Sequence, residues 1–125
     1  MFKICILVTS FFSYSCKKHV FVKYSLSEDT LSFATMRSSD TFQKTIYFKN
    51  HFSDHIKIVQ FETGCGCTTT LLKDSIAKAN DSTAITILYI PLKWKDSGIV
   101  YKYVTIRTNS TPSFKNITVM GKIIQ

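Results

Sequence analysis

Thr83-Ala84-Ile85-Thr86-Ile87-Leu88-Tyr89-Ile90-Pro91, followed by Asp96-Ser97-Gly98 and then Ile99-Val100-Tyr101-Lys102-Tyr103-Val104-Thr105-Ile106-Arg107-Thr108, decides how this chain folds. The first run is rich in β-branched side chains and stops at a proline, which cannot donate to a strand ladder, so it reads as a strand. Asp-Ser-Gly reads as a turn. In the second run Val100, Val104 and Ile106 fall on one side of a two-residue repeat, and Tyr101, Tyr103, Thr105 and Arg107 fall on the other. That is a long strand with one face on a core and one toward solvent.

The same period extends outward in both directions. Downstream, Asn116 to Ile124 places Ile117, Val119, Gly121 and Ile123 together. Upstream, Thr30 to Met36 sets Leu31 and Phe33 on one face, and Phe42 to Lys49 does the same for Phe42, Ile46 and Phe48. A turn at Asn50 to Asp54 leads into Ile56 to Phe61, where the alternation slips by one and predicts a bulge at Val59 or Gln60. Leu71 to Asn80 fits either a short helical turn or an irregular crossover between sheets, and the crossover is the better reading. Short strands separated by turn signals, without helix-length apolar periodicity, predict an all-β fold. The expected architecture is an immunoglobulin-like antiparallel β-sandwich of about seven strands over residues 28–125, with residues 16–27 as a tether.

The first fifteen residues read differently. Lys3 precedes a mostly apolar run from Ile4 to Phe12, then small Ser13 and Ser15, then Cys16 and two lysines. This is the layout of a secretory signal peptide, residues 1–15, ending at a lipidation site on Cys16. The apolar run is shorter than the roughly 20 residues a spanning helix needs. Ser13 stands where a bacterial lipobox usually carries Leu, and Ser13 and Ser15 also suit ordinary signal peptidase; both enzymes would cut before Cys16 and differ in whether it is acylated. The expected location is therefore the cell envelope, either periplasm-facing or on the outer surface, with the membrane engaged through a lipid anchor.

Removing residues 1–15 leaves 110 residues, the size of one domain with one core. The formal charge of +8 becomes about +7 without Lys3. The lysines are scattered rather than massed, which fits dispersed solvation better than a polyanion site, and export argues against nucleic acid as a partner.

The second constellation is Thr63-Gly64-Cys65-Gly66-Cys67-Thr68. Together with Phe48-x-Asn50, Ile56-x-Ile58-x-x-Phe61, Gly98 followed by Lys102-x-Val104-x-Ile106-x-Thr108-Asn109, and Ile117-x-Val119-x-Gly121-x-Ile123, it resembles the domain-of-unknown-function family 1573. The resemblance covers roughly residues 28–125. It implies an exported bacterial protein, often a lipoprotein, with a C-G-C-T signature and a sandwich similar to pilus-chaperone and cilia-associated domains. It implies no activity.

Physically, Cys-Gly-Cys leaves three readings open. Side chains two apart on a strand point the same way, but their Cα atoms would lie about 6.5 Å apart, so a disulfide needs a bend that Gly66 permits. Two thiolates sharing a direction would instead suit copper or zinc, with His51 or His55 as additional ligands. Both cysteines could also be small apolar residues packed at the end of a strand.

Other candidates are weaker. His19, His51 and His55 have no nucleophile elbow to serve, so no catalytic residues are assigned. The triplets at Asn80, Asn109 and Asn116 match a glycan acceptor pattern but fit turn and strand positions. Trp94, Tyr101, Tyr103 and Arg107, with nearby lysines, form an aromatic and cationic group able to stack on a sugar or peptide if they share an exposed face. The reading favoured by the sequence is a non-enzymatic cell-envelope lipoprotein whose single domain binds a protein or glycan and needs no cofactor. The alternative is a periplasmic soft-metal or thiol-redox protein acting through Cys65 and Cys67.

Overall fold

The computed structural model describes residues 22–125, so the expected signal peptide, Cys16 and His19 lie outside the described residues. Nine strands form among the described residues: β1 (Tyr24–Leu26), β2 (Thr30–Arg37), β3 (Phe42–Asn50), β4 (Ile56–Thr63), β5 (Thr68–Leu72), β6 (Ile76–Ala77), β7 (Ser82–Tyr89), β8 (Gly98–Thr108) and β9 (Phe114–Ile124). They make two sheets, ordered β1-β3-β7-β5 and β2-β9-β8-β4-β6. The expected all-β sandwich is what forms.

Each alternating strand turns one face inward. Leu31, Ile46, Phe48, Ile85, Ile87, Val104, Ile106, Ile117 and Val119 are wholly buried and make one core between the sheets. The β4 bulge falls between Ile58 and Gln60, and after it Phe61 packs on the core, as the slipped alternation predicts. The residues expected to form a crossover do so: β5 belongs to the first sheet, β6 to the second, and β7 to the first again.

Three expectations need correction. Among the described residues there are nine strands rather than about seven, because β1 and β6, of three and two residues, are too short to display a two-residue period. The sandwich is not wholly antiparallel, since β2 runs parallel to β9. These two strands are separated by nearly the whole domain, so no hairpin sets their relative direction. The segment expected as a tether supplies β1: Tyr24 is buried, stacks on Phe48 at 4.5 Å, and donates a hydrogen bond to the Pro112 carbonyl at 2.6 Å.

Register defines two ends. Tyr24 lies opposite Asn50 in β3, so the start of the described chain shares one end with the β3–β4 turn. Tyr89 pairs with both Phe42 and Thr68, which places the Cys65–Cys67 turn and the β7–β8 loop together at the other end, here called the far end.

Candidate functional site

At the far end the chain must leave the second sheet after Thr63 and join the first at Thr68. Cys65, Gly66 and Cys67 make that crossing. The chain bends so that the two Cα atoms lie 5.2 Å apart, and the sulfurs are bonded to each other. The turn is also held by its backbone: Thr68 N donates to the Cys65 carbonyl at 3.3 Å, and Ile90 N donates to the Cys67 carbonyl at 2.9 Å. The two sulfurs face different surroundings. Cys67 is only 4% exposed and belongs to the core, whereas Cys65 is half-buried beside an open cleft of about 150 Å³ shared with Thr68, Tyr101, Lys102 and Tyr103.

The β7–β8 loop next to it is built on Asp96. This carboxylate is buried and accepts hydrogen bonds from the Tyr89 hydroxyl at 2.7 Å, the Leu92 amide at 2.9 Å and Lys102 Nζ at 2.8 Å. Burial alone would push its pKa up, but the bonds from Lys102, Leu92 and Tyr89 outweigh that and hold it below the usual carboxylate value. Burial, with the adjacent Asp96 charge, pushes the Tyr89 hydroxyl well above its ordinary value. Asp96 N and Lys95 N both bond back to the Leu92 carbonyl, so residues 92–96 form a tight turn. Trp94 stands on that turn 98% exposed, between Lys93 and Lys95. Ile90, Leu92, Ile99, Tyr101 and Tyr103 are exposed around it or on the adjoining start of β8.

The candidate patch is thereby divided. Tyr101 and Tyr103 are neighbours on the outer face of β8, and Trp94 sits on the loop that leads into it. Arg107 lies about 13 Å further along the same strand, with its guanidinium 5.6 Å from the Phe114 ring centre. It belongs to a different part of the sheet.

The histidines are further away still. His51 and His55 are in the β3–β4 turn, and His51 Nε2 lies 2.6 Å from Ser25 Oγ. The eight residues of β4 separate this turn from Cys65, a span of about 25 Å. Neither imidazole can join the cysteine pair as a metal ligand. Among the described residues no three His, Cys, Asp or Glu side chains gather as a metal site.

Asp96 escaped the sequence reading because it stands in an ordinary turn signal. A usable sign was present nevertheless: Lys102 occupies the inward register of β8, between Val100 and Val104, and a cation in line with core positions calls for a buried anion.

No curated protein matches the chain. Among solved structures it is similar to a protein of unknown function from Porphyromonas gingivalis W83, with a TM-score of 0.71 and 17% identity over 79% of this chain. The chain spans 46% of that protein's length. It is also similar to the ASH / PapD-like domain 7 of human CEP192, with a TM-score of 0.63 and 9% identity, covering 82% of this chain and 86% of that one. The YadV chaperone gives a TM-score of 0.57 at 9% identity, covering 83% and 53% respectively. These likenesses show the immunoglobulin-like fold. The model of the family described as Protein of unknown function (DUF1573) matches residues 24–123, nearly the whole described domain, and the chain belongs to that family.

Proposed function

We propose that this chain is a non-enzymatic cell-envelope lipoprotein, anchored through Cys16, whose immunoglobulin-like domain binds a protein or glycan partner at its far end. The observation that carries the reading is Trp94, fully exposed on a turn that a buried ion pair holds in shape. An indole left in water is unfavourable unless something covers it, and a rigid display lowers the ordering cost of binding. Lys93 and Lys95 flank it, and neither is in an ion pair with a described residue, so the surface favours an acidic or hydroxyl-rich partner.

The shape of the surface agrees. The clefts near Tyr101, of about 150 and 380 Å³, are open, and they suit surface contact rather than enclosure of a small substrate. An anchor at Cys16, a few residues before Tyr24, would set the membrane at one end of the sandwich and turn the aromatic end outward.

The test compares the full-length protein with a Trp94→Ala, Tyr103→Ala double variant for binding to isolated envelope glycan and to envelope protein fractions. The account expects affinity for one of them to fall at least about tenfold, roughly 1.4 kcal/mol, with the midpoint of thermal unfolding little changed. Binding that survives both substitutions would contradict it.

A further inference from the structure

The disulfide contributes less to the fold than its burial suggests. It links residues two apart in sequence, and so short a loop constrains the unfolded chain far less than a long one does. The bend it spans is independently held, by the Thr68 amide on the Cys65 carbonyl and the Ile90 amide on the Cys67 carbonyl. The crossing from one sheet to the other thus has backbone bonds of its own besides the sulfur link.

We propose that the Cys65–Cys67 disulfide is a thiol–disulfide exchange site, entered at Cys65 Sγ through the cleft beside Tyr101, Lys102 and Tyr103, and that it takes a dithiol as its substrate. Access decides which sulfur is attacked. Cys65 is half-buried on the wall of the cleft, whereas Cys67 is core, so an incoming thiolate reaches Cys65 and displaces Cys67. The cleft offers such a nucleophile two tyrosines for its apolar flank, while the Lys102 ammonium stays on Asp96 at the inner side of β8.

The exchange balances without any other reagent. A substrate thiolate attacks Cys65 Sγ; a substrate–Cys65 disulfide forms, the Cys65–Cys67 bond breaks, and the electron pair leaves on Cys67 Sγ. Thr68 Oγ1 lies 3.9 Å from that sulfur, placed to donate a weak hydrogen bond to the thiolate. The second substrate thiolate then attacks the substrate sulfur of the mixed disulfide and expels Cys65. The substrate dithiol is oxidised to a disulfide, the protein pair is reduced by the same two electrons, and the two substrate protons end on Cys65 and Cys67. Reaction with another disulfide runs the steps backward and restores the bond. The exchange adds redox chemistry to a domain read above as a non-enzymatic module, and Tyr103 is common to both surfaces; the peptide map reads the sulfurs and the partner assay reads binding, so failure of one is distinguishable from failure of the other.

The test uses the full-length folded protein. It is incubated with excess reduced glutathione, quenched by alkylation and mapped by peptide mass, with circular dichroism followed in parallel. The expected result is reduction of the Cys65–Cys67 pair while the β-sheet spectrum is unchanged. In the second arm Cys67→Ala and Cys65→Ala are each exposed to oxidised glutathione. Cys65 in the first variant is expected to form the mixed disulfide at least about tenfold faster than Cys67 in the second. A pair that stays oxidised until the protein unfolds would overturn the proposal, and so would equal rates at the two sulfurs.

Discussion

Asp96 is the residue on which the far end most depends, because three donors converge on it from Tyr89, Leu92 and Lys102. Replacing it with Ala strands all three, and by the behaviour of broken buried ion pairs the loss of stability is expected to be about 3 kcal/mol, measured by urea unfolding. Its depressed pKa gives a pH signature as well. A carboxylate stabilised in the folded state adds stability above its unfolded pKa and loses it on acidification, so unfolding free energy should be level near neutrality and fall below about pH 4. In Asp96→Asn that acid-side decline should be shallower. Asn50 plays a matching part at the other end. Its amide donates to the carbonyls of Asp54, Ala77 and Lys78, and its own oxygen accepts the Phe52 amide at 2.8 Å. Asn50→Ala is expected to cost about 2–3 kcal/mol by the same measurement. Residues of this kind are poorly legible in sequence. Nothing local distinguishes Asn50 from any other turn asparagine, since its partners near position 77 arrive only through the crossover.

At the scale of elements, β2 shows how a strand departs from plain alternation. Leu31 faces the core and Phe33 packs against it, but Ala34 has φ of 57°, the register with β9 shifts between Ser32 and Thr35, and Met36 then turns inward. A left-handed alanine is strained by the clash of its Cβ with the carbonyl, so Ala34→Gly should leave stability level or raise it by up to about 1 kcal/mol in thermal unfolding. On the neighbouring strand Gly121 is needed for space, because a Cβ there would run into the Phe33 ring. Gly121→Val is expected to cost more than about 2 kcal/mol, and adding Phe33→Ala should recover part of the loss, a coupling that a double-mutant cycle measures. The long strands could be read from sequence because β3, β7, β8 and β9 each bury one face and keep a strict two-residue period. The β4 bulge was legible too, since the slip to Phe61 shows in the pattern. The β2 bulge was not, because Ala34 carries no turn signal. Nor was β1, whose three residues cannot show a period and are recruited by pairing with β3.

For the whole molecule, the sandwich separates its two ends by the length of β4 and β8, and chemistry concentrates at the far one. Cutting the chain at residue 28, where sequence alone would begin the domain, removes Tyr24 from its stack with Phe48 and uncovers the edge of β3. That truncation is expected to lose about 3 kcal/mol or more relative to a chain beginning at residue 22, seen as a lowered unfolding midpoint. The candidate site was half legible at this scale. Cys65, Cys67, Trp94, Tyr101 and Tyr103 could be picked out as residue types, but which of them share an end depends on strand register. The same register sends His51, His55 and Arg107 elsewhere. The central claim is that the far end is the working surface, and site-specific photo-crosslinking in native envelopes tests it most directly. A crosslinker replacing Trp94 or Tyr103 should give a discrete partner adduct, while one replacing His55 at the opposite end should give none. Adducts of equal yield from both ends, or from His55 alone, would contradict the account.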